Sequence, residues 1–327
     1  MLWVLACVTP DAPSSPVEEG SAFDLHLAEL DARIEARESW VAGSPTDWTR
    51  RQVIAGEYTQ RARLSGDLRD YARAEEHLTQ GFSNAPQGSG PLLSRAGLNY
   101  TLHRLDRVEA DLRMAEQAIL IDEVKKASIA LLRGNTLWQS GRYDEGRELM
   151  ERAHGLHPTP QGTLALALDA WRRADFPRAE GLFDQAEEDL VVRDPATFAW
   201  LDLQRGLMDL ERGHYDQALD HYRDADAHLD GYWLVEEHIA EVLVLQGHAD
   251  QALPMYLAIV ERTGNPEFMD ALAELQPDAD WPAKARAAYE EQLALYPESA
   301  AGHALGHMLE FGSPDEALEL ALANLQT

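Results

Sequence analysis

GNTLWQSGRYDEGRELMERAHGLHP, residues 134–158, is the stretch whose reading decides the fold. Its small residues Gly134, Gly146 and Ala153 stand where two short antiparallel helices can bring their backbones together, and Tyr143 and Met150 are available to fill the seam beside that contact. Gly141 supplies the left-handed residue that ends the first helix. Pro158 falls just past the second, where a missing N–H costs nothing further. The pattern returns about every 34 residues. One copy reads Gly206, Gly213-His214-Tyr215, Ala218, Tyr222 and Ala225. Others read Ala167, Phe176, Ala179, Phe183 and Ala186, and Ala240, Gly247, Ala252 and Tyr256. A unit this small cannot bury its apolar face alone, so neighbouring units must stack.

These residues resemble the tetratricopeptide repeat (TPR) family over roughly residues 91 to 325, with weaker units at Ala110 and Met114, at Ala285, Tyr289 and Pro297, and at Ala317. Gly66-Asp67-Leu68 looks like the lengthened turn of an earlier unit, while Ala249 and Pro314 replace the usual turn aromatic. The resemblance implies an all-α, right-handed α-solenoid whose first helices line a concave groove. One leading helix and about eight hairpins are predicted. Phe23, Leu27, Leu30 and Ile34 form the apolar stripe of that leading helix. It stops near Gly43-Ser44-Pro45, and Thr46 is the predicted cap of the next helix. Trp138, Trp171, Trp200, Trp233 and Tyr222 fall at packing positions.

The net charge of −29 and pI near 4.6 argue against a nucleic-acid partner, which needs a basic surface. They favour a protein or peptide partner with a basic or neutral-polar face. Met1-Leu2-Trp3-Val4-Leu5-Ala6-Cys7 resembles a bacterial lipoprotein leader cut before cysteine. Cys7 is the sole cysteine, which excludes an internal disulfide and makes it the predicted lipidation site. The leader lacks the positive start such segments carry, and a start codon further upstream would supply it. Residues 1–21 therefore read as a lipoprotein-like segment and disordered tether, and 22–327 as the solenoid. This reading places the chain at the bacterial cell envelope, lipid-anchored or periplasmic; the alternative is a soluble cytoplasmic adaptor.

Several constellations invite chemistry. Asp226-Ala227-His228-Leu229-Asp230-Gly231 with Glu237 resembles a calcium loop, but His228 and Leu234 occupy positions that want oxygen ligands, so an acidic turn is expected. His303 and His307 stand at i and i+4 with Glu310 beyond, the spacing of a helical zinc pair. They carry the alternative reading of a metal protein or enzyme, against the plainer one of packing on the neighbouring hairpin. His214, His221 and His228 recur among Asp216, Asp220 and Asp224, as on a solvated acidic face. Gly88-Ser89-Gly90-Pro91 lacks the strand and the Gly-Lys of a phosphate loop and reads as a linker. Pairs such as Glu236-Glu237 are too common here to single out. The family's clamp for a peptide carboxylate is matched by Arg95, Asn99 and Asn135 but fails at Leu132, Gln161 and Ala165. No catalytic residue or cofactor is nominated. The expectation is a non-enzymatic protein–protein interaction scaffold that binds a protein segment in its groove.

Overall fold

The computed structural model describes residues 20–117 and 121–325. Cys7 and the leader lie outside them. A leading helix, α1 (Ala22–Ala42), is followed by eight antiparallel pairs. Hairpin 1 is α2 (Trp48–Ser65) with α3 (Arg69–Asn84), and hairpin 2 is α4 (Leu92–Thr101) with α5 (Leu105–Glu116). Hairpin 3 pairs α6 (Glu123–Gln139) with α7 (Tyr143–Leu156), and hairpin 4 pairs α8 (Pro160–Arg172) with α9 (Phe176–Glu188). Hairpin 5 comprises α10 (Pro195–Glu211) and α11 (Tyr215–His228), and hairpin 6 α12 (Trp233–Leu245) and α13 (Ala249–Thr263). Hairpin 7 is α14 (Pro266–Leu275) with α15 (Trp281–Leu295), and hairpin 8 α16 (Pro297–Phe311) with α17 (Pro314–Asn324). No strand occurs among the described residues. The chain is an all-α solenoid of TPR-like hairpins.

The small residues act as their spacing predicts. In hairpin 3 a Cβ on Gly134 would lie 2.9 Å from the Gly146 carbonyl oxygen, and one on Gly146 would lie 2.7 Å from that of Gly134, so the two backbones touch. In hairpin 5 the space left at Gly206 is filled by the Tyr222 ring, whose Cε1 would stand 2.2 Å from an added Cβ. Gly141 and Gly213 turn the chain at φ 79° and 73°. Two expectations need correction. The cap of α2 is Asp47, whose carboxylate accepts from the Thr49 and Arg50 amides, rather than Thr46. Tyr143 does not fill the hairpin seam: it is half exposed and stands edge-on to Trp138.

The array comes round on itself, a feature no single repeat announces. Phe23 at the start of α1 stacks on Tyr232 at a 5.1 Å centroid distance, and its amide donates to the Asp230 carbonyl. The Trp233 indole donates to the Leu64 carbonyl at 2.7 Å across 169 residues of sequence. The Tyr296 hydroxyl donates to Glu75, and Arg104 pairs with both Glu75 and Glu298. The turns of hairpins 1 and 2 thus rest on the loops that precede hairpins 6 and 8. One apolar cluster runs through this contact, from Leu30, Tyr58 and Leu102 to Leu203, Tyr222 and Val235.

Two alanine substitutions separate close approach from helix propensity. Gly206→Ala forces the Tyr222 ring from its place and is expected to destabilise by about 1–3 kcal/mol, like other overpacked cores. Gly181→Ala, in α9 with nothing within 4 Å of the new Cβ, is expected to be neutral or to stabilise by up to about 1 kcal/mol. Thermal midpoints of the two variants check both.

Candidate functional site

The first helices of hairpins 6, 7 and 8 carry their ionisable residues at three- and four-residue steps, which puts each set on one helix face. On α12 these are Glu237 and Glu241; on α14, Glu267, Asp270 and Glu274; on α16, His303, His307 and Glu310. The second helices of hairpins 5, 6 and 7 supply a tyrosine at matching register, namely Tyr222, Tyr256 and Tyr289, each buried. The two kinds of residue meet where hairpins stack. The Tyr222 ring lies nearly parallel to His238, 5.5 Å away, and the Tyr289 ring lies 5.2 Å from His307. Tyr289 donates its hydroxyl to Asp270 at 3.1 Å, and the other oxygen of Asp270 lies 2.7 Å from His307 Nδ1. His303 Nδ1 reaches Glu267 at 3.2 Å.

Burial pushes the Glu237 carboxyl up to about 7 against the opposing charge of His238, with Glu241 and Glu267 adding to the rise. Burial likewise raises Asp270, against the bond from His307. Glu274 is raised by burial and by the charge of Glu310. His238 is raised too: burial acts against its charge, but its bond to Glu241 and the charges of Glu237 and Glu241 outweigh it. The bond to Glu267 raises His303. These carboxylates therefore sit within one another's field.

Elsewhere arginine absorbs the negative charge. Arg61 bridges Asp31 and Asp70, Arg133 bridges Glu109 and Glu116, and Arg205 gathers Asp184, Glu187 and Asp202. From Asp224 to Thr327 the only lysines or arginines are Arg262, Lys284 and Arg286. Arg262 is held by Glu236, and Arg286 by Glu316. Among the described residues no guanidinium or ammonium reaches Glu237, Glu241, Glu267, Asp270, Glu274 or Glu310. Such rows of carboxylates are suited to cations. Glu267 and His303 also line a cleft of about 360 Å³ along the self-contact of the array, with Arg63, Tyr71, Trp233 and Asn265.

The other sequence candidates are placed as follows. His303 and His307 face the same way but are engaged by Glu267 and Asp270 on α14, which is the packing reading rather than a zinc pair. Asp226 and His228 remain within α11, Leu229 is buried, and Glu237 turns to His238, so no calcium loop forms. His214 and His221 approach Asp209, and His228 approaches Asp202, so these histidines pair with α10 of their own hairpin, while His214, His228, Asp216, Asp220 and Asp224 are exposed on the solvated face that the sequence suggests. Arg95 is committed to Asp111 by two bonds of 3.0 and 2.6 Å, and Asn99 is buried, which removes the start of a carboxylate clamp. Trp233 packs on the cluster of Ala240, Tyr256 and Phe268, as expected, and its indole N–H adds the long-range bond to Leu64. Sequence reasoning passed over Glu241, Glu267, Asp270 and Glu274. The available signal was the shared register of carboxylates on three successive first helices.

No protein-family model matches the chain, and no curated protein does. Among solved structures, the chain is similar to TTC0263, a thermophilic TPR protein of Thermus thermophilus, with a TM-score of 0.41 at 22% identity over 56% of this chain and 99% of that one. It is similar to MamA of AMB-1, with a TM-score of 0.35 at 20% identity over 52% and 88%. The human IFIT1 dimer with m7Gppp-AAAA aligns with a TM-score of 0.44 at 15% identity over 93% and 73%. The architecture stated above rests on the helix pairing itself.

The raised groups dictate a pH dependence. Glu237, Asp270, Glu274 and His238 all hold protons more tightly when folded, so the stability they contribute is complete below their unfolded values and is lost as pH rises through the folded ones. For Glu237 the window runs from its ordinary 4.5 to about 7. The thermal midpoint is expected to be higher at pH 5.5 than at pH 8. Glu237→Gln should flatten that difference by an amount on the order of 2–3 kcal/mol. Calorimetry across this range checks it; a midpoint that rises toward pH 8 contradicts it.

Proposed function

We infer that this chain is a non-catalytic protein-interaction scaffold that docks a cationic segment of another protein on hairpins 6 to 8. The observation that carries the reading is the row of carboxylates from Glu241 through Glu267 and Glu274 to Glu310, where no lysine or arginine of the chain itself pairs. Glu267, Glu274 and Glu310 are exposed and Glu241 is half-buried, and they stand on first helices packed against Tyr222, Tyr256 and Tyr289. A guanidinium or ammonium arriving there meets partners already in place, so little ordering is demanded of the scaffold. Mutual repulsion among the carboxylates is relieved at the same time. Long-range attraction to a basic segment also speeds encounter and makes it sensitive to salt.

Fluorescence anisotropy with an arginine- and lysine-rich peptide tests this. Binding is expected to weaken with added salt, and Glu267→Gln with Glu274→Gln should reduce affinity by about tenfold while flattening the salt dependence. An acidic peptide of equal length should not bind. Affinity that the double variant leaves unchanged overturns the docking face.

The reading extends to location. Acylation of Cys7 would tether the scaffold to a bacterial envelope membrane, the argument being the Val4-Leu5-Ala6-Cys7 ending of the apolar start. Metabolic labelling with an alkyne fatty acid in a bacterial host should mark the wild-type chain and not Cys7→Ser. An unlabelled wild type returns the chain to the cytoplasmic alternative.

A further inference from the structure

Within α12, two carboxylates converge on one ring nitrogen. Glu237 Oε2 lies 3.1 Å from His238 Nδ1, and Glu241 Oε2 lies 3.2 Å from the same atom. Among the described residues these form the one group of three His, Cys, Asp or Glu side chains whose donor atoms all lie within 4.8 Å of one another. We propose that Glu237, His238 and Glu241 bind a divalent transition-metal ion, with Zn²⁺ the fitting species.

The geometry favours a cation over a shared proton. A single N–H can point well at only one of two carboxylates, whereas an ion at their common focus is held by all three groups. Tetrahedral zinc, with bonds of about 2.0–2.2 Å, sets its ligand atoms about 3.3 Å apart. The two nitrogen–oxygen separations lie close to that edge, and the two carboxylate oxygens lie within 4.8 Å of each other, so an ion draws the three groups together by side-chain movement. One imidazole with two carboxylates suits zinc better than calcium or magnesium, which prefer oxygen throughout. On binding, the metal takes the Nδ1 lone pair, and any proton held there leaves to solvent.

A second observation points to the same spot. The Tyr222 hydroxyl is buried without any hydrogen-bond partner, on a side chain with no solvent exposure. After burial, the charges that act on it most are those of Glu241 and Glu237. An unpartnered buried hydroxyl is costly, and a water held by the metal would give it a partner. Its ring is fixed between the gap at Gly206 and the face of His238, which also sets the plane of the imidazole. The hydroxyl of Tyr256 also donates to Glu237. Such outer support orients metal ligands in general. The site shares Glu241 with the docking row but needs no docked partner, and its readout, a metal band lost with His238, is separate from the peptide affinity read at Glu267 and Glu274.

The test uses the full-length chain stripped with EDTA and titrated with Co²⁺, followed by Zn²⁺ in competition. One equivalent of Co²⁺ with visible d–d absorption is expected, displaced by Zn²⁺. His238→Gln should abolish the band, and Glu241→Gln should weaken binding by about tenfold or more. His303→Gln, at an exposed histidine on α16, should change neither. The Glu241 side chain is 41% exposed, so Glu241→Gln keeps the fold and carries the test even where His238→Gln fails to fold. The proposal is overturned by weak binding of many equivalents that Glu241→Gln leaves intact, or by no band from a chain that melts as a folded protein.

Discussion

How closely the two helices of a hairpin can approach is the constraint on which this structure depends. At Gly134 and Gly146 the backbones meet without a side chain between them, and at Gly206 the absent Cβ becomes the seat of an aromatic ring. A fixed approach distance fixes the crossing of each pair, and the crossing sets where the next hairpin lands. Repeated eight times, small errors would accumulate into a different superhelix. The Tyr222 ring shows how one contact serves several ends. It fills the hairpin, carries His238 on its face, and buries its hydroxyl within the field of Glu241, Glu237 and Asp209.

The electrostatics divide along the chain. In hairpins 1 to 5 arginines knit carboxylates together, often two or three at a time, and the abundant acid is locally compensated. Beyond Asp224 the arginines nearly cease while the acids continue. Burial then acts where ion pairing does not, raising Glu237, Asp270 and Glu274, with Glu237 pushed up to about 7. A surface arranged in this way stores repulsion that a cation of either kind, peptide side chain or metal ion, would release.

Much of the fold was legible in the sequence because small and bulky residues at fixed steps report directly on helix–helix approach. The leading helix and the eight hairpins follow from Phe23, Leu30 and Ile34, and from recurrences of the Gly206–Tyr222 pair. The cap at Asp47 was missed because Thr46, beside it, is nearly as good a capping residue. Tyr143 was misassigned because the register places it at a turn, where the ring can fold outward as easily as inward. The candidate site was harder. In a chain with 57 acidic residues, no carboxylate is distinctive until its neighbours on other helices are known. The histidines were visible, but their partners Glu267, Asp270 and Asp209 belong to other helices.

The contact between distant turns changes what kind of object this array is. A solenoid in which each repeat touches only its neighbours behaves as a chain of nearly independent links and frays from its ends. Bonds spanning 169 and 221 residues make this one a clasp. The leading helix, which would otherwise fray first, is pinned against Tyr232, and the loop before hairpin 8 is pinned against Glu75. Opening the clasp would free both ends at once and widen the cleft that Glu267 and His303 border. A ligand that bridges the two sides of that cleft would therefore act on the shape of the entire chain, through the contact that joins its distant repeats.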